Sequence, residues 1–180
     1  MTITTYIGCD NGLDGAFTGL LPNGAIAFKE VMPYYKVKTP REGLFDKKGK
    51  QKYSIKRTVD VEKCYEILKP YLDNMVFLIE LPAGSKDVKS AKSMADSFAT
   101  VRTLMELYRI EVNTIRALQW QKSFWIKPRG SNKDTKEYAL ETCQQYWPGE
   151  DWKKTKRCTT AHDGLTDSAL IAEYARKYIL

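Results

Sequence analysis

The sequence predicts an α/β protein: a mixed sheet with helices on its faces. Three observations predict it. The chain opens with three short apolar segments separated by Gly-containing turns. Met75 to Ile79 is then a nearly all-apolar run, the pattern of a central strand buried on both faces. Helical periodicities fall between and after the later strands, so the order reads β-β-β-α-β-α-β-α-α, with five strands.

Each element has its own signal. Thr5 to Cys9 is the first apolar stretch and ends in Asp10-Asn11-Gly12. Ala16 to Leu21 and Ala25 to Val31 flank Pro22-Asn23-Gly24, a hairpin signature. Residues 36–57 differ in kind. Nine Lys and Arg residues, among them Lys47, Lys48 and Lys50, face only Glu42 and Asp46, and Gly43 and Gly49 interrupt the run. The segment reads as a long basic loop, and long loops in compact domains are usually functional or disordered. Asp60 is a good N-cap for a helix to about Leu72, with Val61, Tyr65, Leu68 and Leu72 on one face. Ser90 to Tyr108 carries Ala91, Met94, Phe98, Val101, Met105 and Tyr108 at helical spacing. Glu111 to Ile115 is a short strand. Asp134 with Glu137 resembles a capping box and opens a helix that Pro148-Gly149 closes. Lys153 to Thr160 is a basic loop, and a last helix runs from about Gly164 to the C-terminus.

Composition narrows the function classes. The 180 residues fit one domain, 1–180, and 43% hydrophobic content is enough to bury a core, which excludes wholesale disorder. No apolar run approaches the roughly 20 residues of a membrane span. The N-terminus lacks the basic flank and apolar stretch of a secretory signal, so a cytoplasmic location is expected. Lys and Arg exceed Asp and Glu by 29 to 22, a net charge of +7 that favours a polyanionic partner. Cys9, Cys64, Cys143 and Cys158 are scattered, with no C-x-x-C pair and one histidine in the chain, which argues against zinc.

The carboxylates carry the chemistry. Asp10 ends the first strand and Glu80 ends the central one. Asp163 and Asp167 open the last helix four residues apart, on one face. If the first strand lies beside the Glu80 strand and the last helix packs across both, all four converge. Such a cluster is costly unless cations neutralise it, and hard oxygen ligands suit Mg²⁺ or Mn²⁺. Two such ions catalyse in-line attack on a phosphodiester. Singly, each acid also fits a structural role. Asp10 suits a turn before Gly, Asp163 an N-cap, and Asp167 a first-turn dipole partner. Glu80, straight after five apolar residues, fits such a role least.

Ile7-Gly8-Cys9-Asp10-Asn11-Gly12-Leu13-Asp14-Gly15-Ala16 is similar to the opening "IGIDPGLSGA" of RuvC-type Holliday junction resolvases, particularly their phage-encoded branch. Met32-Pro33 and Val76-Phe77-Leu78-Ile79-Glu80 fit the same branch. Trp120-Gln121-Lys122 resembles its "WKK"; Lys136, Ala139 and Trp147-Pro148 resemble its "K-x-x-A … FP". His162-Asp163-Gly164-Leu165-Thr166-Asp167-Ser168-Ala169-Leu170-Ile171-Ala172 resembles its closing "DDGxADALLIA". The likeness runs in order along nearly the whole chain.

The resemblance implies an RNase H-like mixed five-stranded sheet flanked by helices, acting as a homodimer on four-way and other branched DNA. It implies Asp10, Glu80, Asp163 and Asp167 as catalytic metal ligands for two Mg²⁺ ions per site, with Mn²⁺ able to substitute. It implies hydrolysis to 5′-phosphate and 3′-hydroxyl ends, in a host cell's cytoplasm if the chain is phage-encoded. It places Ala95 and Ala99 in a dimer interface along the Ser90 to Tyr108 helix, whose alternative role is core packing. Departures are Asn11 for Pro, Asp14 for a small polar residue and Asp96 for Arg. His162 either assists catalysis, by orienting water or touching phosphate, or is a structural hydrogen-bonder.

Lys122, Arg129, Lys133 and Lys136 are the DNA-contact candidates, with Lys47, Lys48 and Lys50 of the basic segment; each also fits solvated surface charge. Tyr34, Tyr35 and Tyr53 suit base stacking or packing. Three other readings compete. An RNase H-like nuclease acting on RNA–DNA hybrids or flaps shares the acidic cluster. An actin-like ATPase needs two such domains, for which the chain is too short. A non-catalytic junction-binding protein gains nothing from carboxylates facing phosphates.

Overall fold

The computed structural model describes residues 3–82, 84 and 87–179. In chain order these form β1 (Thr5–Asp10), β2 (Ala16–Leu20), β3 (Ile26–Val31), β4 (Tyr34–Phe45), β5 (Gln51–Val59), α1 (Val61–Leu68), β6 (Met75–Glu80), α2 (Val88–Leu107), β7 (Val112–Ile115), α3 (Ala117–Lys122), α4 (Thr135–Tyr146) and α5 (Asp163–Tyr178). The main sheet is mixed and five-stranded, in the order β3-β2-β1-β6-β7. β1 runs antiparallel to β2 and parallel to β6, and β6 is parallel to β7. The mixed sheet flanked by helices is the architecture the sequence predicts. Among the described residues no helix is long and apolar enough to cross a membrane.

Strand alternation divides the core into two layers. Ile7, Cys9, Phe77 and Ile79 face one side, where they pack with Cys64 and Leu68 of α1 and Val101, Leu104 and Met105 of α2. Leu78 faces the other side, with Trp120, Ala139, Cys143 and the inner residues of α5. Asp10 and Glu80 share the parity of Gly8 and Leu78. They therefore emerge on the α5 side, at the C-terminal ends of neighbouring parallel strands.

Glycine sets how close α5 comes. A Cβ on Gly8 would lie 2.2 Å from the Ser168 carbonyl oxygen and 2.3 Å from the Ala172 nitrogen, and one on Gly164 would lie 2.6 Å from the Asp14 carbonyl oxygen. Both obstacles are backbone, so neither can swing aside. Buried Thr18 and Ser168 join their hydroxyls at 2.8 Å across the same contact. Gly8→Ala should force the helix off the strand and destabilise the protein by about 3 kcal/mol, the upper end for overpacking. Denaturant unfolding checks this; a loss under about 1 kcal/mol would mean that α5 is not held at this distance by the strand.

Two expectations need correcting. The segment read as a basic loop at 36–57 is a two-stranded antiparallel hairpin, β4–β5, separate from the main sheet. Most of its side chains are exposed, but Tyr35-Lys36-Val37-Lys38-Thr39 and Tyr53-Ser54-Ile55-Lys56 alternate apolar or β-branched with polar residues, a strand pattern masked by the run of Lys and Arg. The turn is a second missed signal. Asp46 accepts from the Lys48 and Lys50 amides, and Gly49 takes a positive φ of 71°. In α1 the inward stripe is Cys64 and Leu68, whereas Val61 is exposed. Asp60, Asp87 and Asp134 cap α1, α2 and α4 through their side chains. All four cysteines are free, and three are buried.

Candidate active site

Four carboxylates come within electrostatic reach of one another where β1 and β6 end and α5 begins. Cys9 pairs with Ile79, so Asp10 and Glu80 are the next residues along the two strands. Asp163 is the first residue of α5 and Asp167 lies one turn further on. Asp167 is within electrostatic reach of Asp10, Glu80 and Asp163. Asp10 also feels Asp163, and Glu80 feels Asp10.

The cost of gathering these charges is visible in their acidities. Burial, then the neighbouring Asp10, Glu80 and Asp163, push Asp167 up to about 8, with Lys136 opposing. Burial pushes Glu80 up to about 7, against the hydrogen bond from Trp120 and with help from Asp10. Burial raises Asp10 as well, partly offset by the Gly12 amide, which donates to Asp10 Oδ1 at 3.3 Å.

The surrounding groups fix the acids in place. Trp120 Nε1–H, fully buried, donates to Glu80 Oε2 at 2.6 Å. Buried Asn11 donates its side-chain amide to the Glu80 carbonyl, tying the β1–β2 loop to the end of β6. Lys136, in the first turn of α4, places Nζ 2.5 Å from Asp163 Oδ2. Arg57 on β5 forks onto Asp14 with bonds of 2.7 and 2.9 Å, and its guanidinium lies 5.3 Å from the Tyr34 ring centroid. That fork holds Asp14 below the usual carboxylate range.

Asp163 does not serve as the N-cap of α5. His162 occupies that position and makes no side-chain capping bond. Its backbone N–H donates to the Trp152 carbonyl at 2.7 Å, while its buried Nδ1 has no hydrogen-bond partner among the described residues. Burial, then Lys154, lower its pKa, so the imidazole is neutral at pH 7.

The cationic candidates divide. Lys122 and Arg129 are exposed on the surface around α3 and the loop before α4. Lys133 is engaged with Glu141 and sits 4.4 Å from the Tyr138 ring centroid, and Lys136 is engaged with Asp163. Lys47, Lys48 and Lys50 are exposed at the hairpin turn. Ala95 and Ala99 are exposed on the outer face of α2.

Carboxylate oxygens are the hard donors a divalent cation takes, and of the four acids Asp10 lines an open cleft, beside Asp14, Arg57, Ser90 and Ser93. As they stand, no three His, Cys, Asp or Glu side chains among the described residues are gathered tightly enough to hold one ion. Asp163 is turned onto Lys136 and Glu80 onto Trp120.

Trp120, Asn11, Arg57 and the spacer glycines Gly8 and Gly164 were not assigned roles from sequence. Trp120, Asn11 and both glycines lie inside the quoted motifs; Arg57, 43 residues from its partner Asp14, carries no local signal.

No protein-family model matches the chain, and no curated protein matches it. Among solved structures it is similar to Thermus thermophilus RuvC in complex with a Holliday junction substrate, at 10% identity over 98% of this chain and 97% of that one, with a TM-score of 0.49. A structure of Thermus thermophilus RuvC is similar at 11% identity over 98% and 96%, with a TM-score of 0.48.

Proposed function

We propose that the chain is a divalent-metal-dependent endonuclease that hydrolyses phosphodiesters in branched DNA, four-way junctions foremost, as a homodimer of RNase H-like subunits. The convergence of Asp10, Glu80, Asp163 and Asp167 carries this reading. A protein that keeps acids protonated to about pH 7 and 8 by burying them together loses stability at neutral pH. A site that takes up cations turns the same cost into affinity. The net charge of +7 and the motif order of the RuvC type support nucleic acid as the substrate.

Two Mg²⁺ or Mn²⁺ ions bound there would supply an activated water and stabilise the leaving oxygen. The protein's own groups prepare the site. Trp120 orients the Glu80 carboxylate, and Asn11 fixes the backbone on which that carboxylate stands. Lys136 offsets the charge of Asp163. Neutral His162, at the start of α5, suits proton transfer or contact with the scissile phosphate. Lys122, Arg129, Lys133 and the hairpin lysines Lys47, Lys48 and Lys50 are the cations for the DNA backbone. Ala95 and Ala99 leave room for a second α2 to approach.

The test is a cleavage assay on a labelled four-way junction, a matched duplex, a flap and an RNA–DNA hybrid, with Mg²⁺ and with EDTA. Paired symmetric nicks in the junction, abolished by EDTA, are expected. Preferential cutting of flaps or hybrids would keep the metal chemistry and overturn the junction assignment; tight junction binding without cutting would overturn the nuclease.

Deleting residues 43–52 removes Lys47, Lys48, Lys50 and Lys52. Junction binding should weaken, and the slope of log K against log salt should fall by roughly 0.9 for each phosphate that these lysines neutralise. An unchanged slope would remove the hairpin turn from the DNA interface.

A further inference from the structure

A second groove opens off the cleft that Asp10 lines at the edge of the carboxylate cluster. The cleft, about 310 Å³, is bounded by Asp10, Asp14, Arg57, Ser90 and Ser93. It shares Leu13, Arg57 and Ser93 with a groove of about 540 Å³ that runs between β5 and the first half of α2. The walls of this groove carry Lys56 and Arg57 from one side and Lys89 and Lys92 from the other. Among the described residues Asp96 is the one carboxylate lining it, and Lys56 lies 3.3 Å from it. Lys89 and Lys92 are exposed, and neither is in an ion pair among the described residues. Ile55 and Leu13 supply apolar contact between the charges.

Arg57 shows what such a wall binds. Its guanidinium holds the two oxygens of Asp14 in a fork, the arrangement in which arginine holds a phosphodiester. The Asp14 side chain is 67% exposed, and exposed pairs of this kind are weak, so an incoming anion can displace it. The groove is continuous with the cleft that Asp10 lines, through Leu13, Arg57 and Ser93. Four cations lining one groove suit the phosphates of a DNA strand that continues from the Asp10 cleft.

We propose that one DNA strand leaves the carboxylate cluster through the groove between β5 and α2, its phosphates held by Lys56, Arg57, Lys89 and Lys92, and that Asp14 occupies the Arg57 fork until a phosphate displaces it. This rests on the nuclease reading above.

The test is binding of labelled single-stranded DNA and of a four-way junction, in EDTA so that nothing is cut, between about 50 and 200 mM salt. The Lys89→Gln/Lys92→Gln double variant should bind single strands more weakly, with the salt slope reduced by roughly 1.4, at about 0.7 per phosphate. Lys63→Gln/Lys69→Gln on and just after α1, with the same change in net charge, should keep the wild-type slope. Asp14→Asn should bind several-fold more tightly. Equal slopes for the two double variants would overturn the groove, and unchanged binding by Asp14→Asn would overturn the displacement. If wild-type protein cuts junctions but the groove variant binds normally, the track falls and the nuclease stands. If it cuts nothing while the groove variant loses binding, the nuclease falls and the track stands.

Discussion

Asp10→Asn or Glu80→Gln is expected to reduce DNA cleavage by about a hundredfold to a thousandfold or more, while junction binding survives or tightens. Both residues stand at strand ends, on the side where α5 covers the sheet, so neither amide disturbs the core packing of Ile7, Cys9, Phe77 and Ile79. Each substitution removes one negative charge from a cluster facing phosphates, which favours binding. It also removes a hard oxygen donor aimed at the place where charge develops, and losses of preorganised groups of that kind cost a hundredfold to a thousandfold. Electrophoretic binding and single-turnover cleavage on the same junction separate the two effects. Undiminished cleavage in both variants would remove these acids from the chemistry.

The second large effect concerns stability and pH. In the unfolded chain Glu80 and Asp167 lose their protons near pH 4. In the folded protein they hold them to about 7 and about 8. The folded state therefore binds more protons than the unfolded state between these limits, and stability falls as pH rises from about 4 to about 8. Raising a pKa by one corresponds to about 1.4 kcal/mol, so the Asp167 carboxylate alone costs several kcal/mol in the cation-free protein above pH 8. Asp167→Asn should stabilise the protein in EDTA at pH 8 by about 3 kcal/mol and leave it little changed at pH 4. The difference between variant and wild type, followed by denaturant unfolding from pH 4 to 8, cancels the titrating groups that do not interact with Asp167 and reports Asp167 together with its coupled neighbours Asp10, Glu80 and Asp163. A difference that does not grow with pH would contradict the buried, charge-crowded environment assigned to Asp167.

Parts of this site were legible in the sequence for physical reasons. Glu80 announces itself because a carboxylate straight after five apolar residues has nowhere solvated to go. Asp163 and Asp167 are paired by helical spacing alone. Convergence with Asp10 needed one further condition, that β1 lie beside β6 under α5, and that is the observed order. The hairpin was hidden by its charge: Tyr35, Val37 and Thr39 alternate with lysines, and Tyr53 and Ile55 with polar residues, but the excess of Lys and Arg and the exposure of most of these side chains give the segment the composition of a loop. Trp120 and Glu80 are 40 residues apart, and their hydrogen bond exists only once β6, α3 and the core between them are assembled. Two departures from the resembling motif, Asp14 and Asn11, make long-range contacts that the sequence does not announce. One anchors Arg57 of the hairpin, and the other the end of β6.

Mn²⁺ binding, followed by calorimetry on the wild-type chain and on Asp10→Asn and Asp167→Asn at pH 8, tests the central claim most directly. The account predicts two ions per wild-type chain, with a rise in thermal stability on binding, and loss of at least one ion with most of that rise in each variant. Equal binding by all three proteins, or none by the wild type, would contradict it.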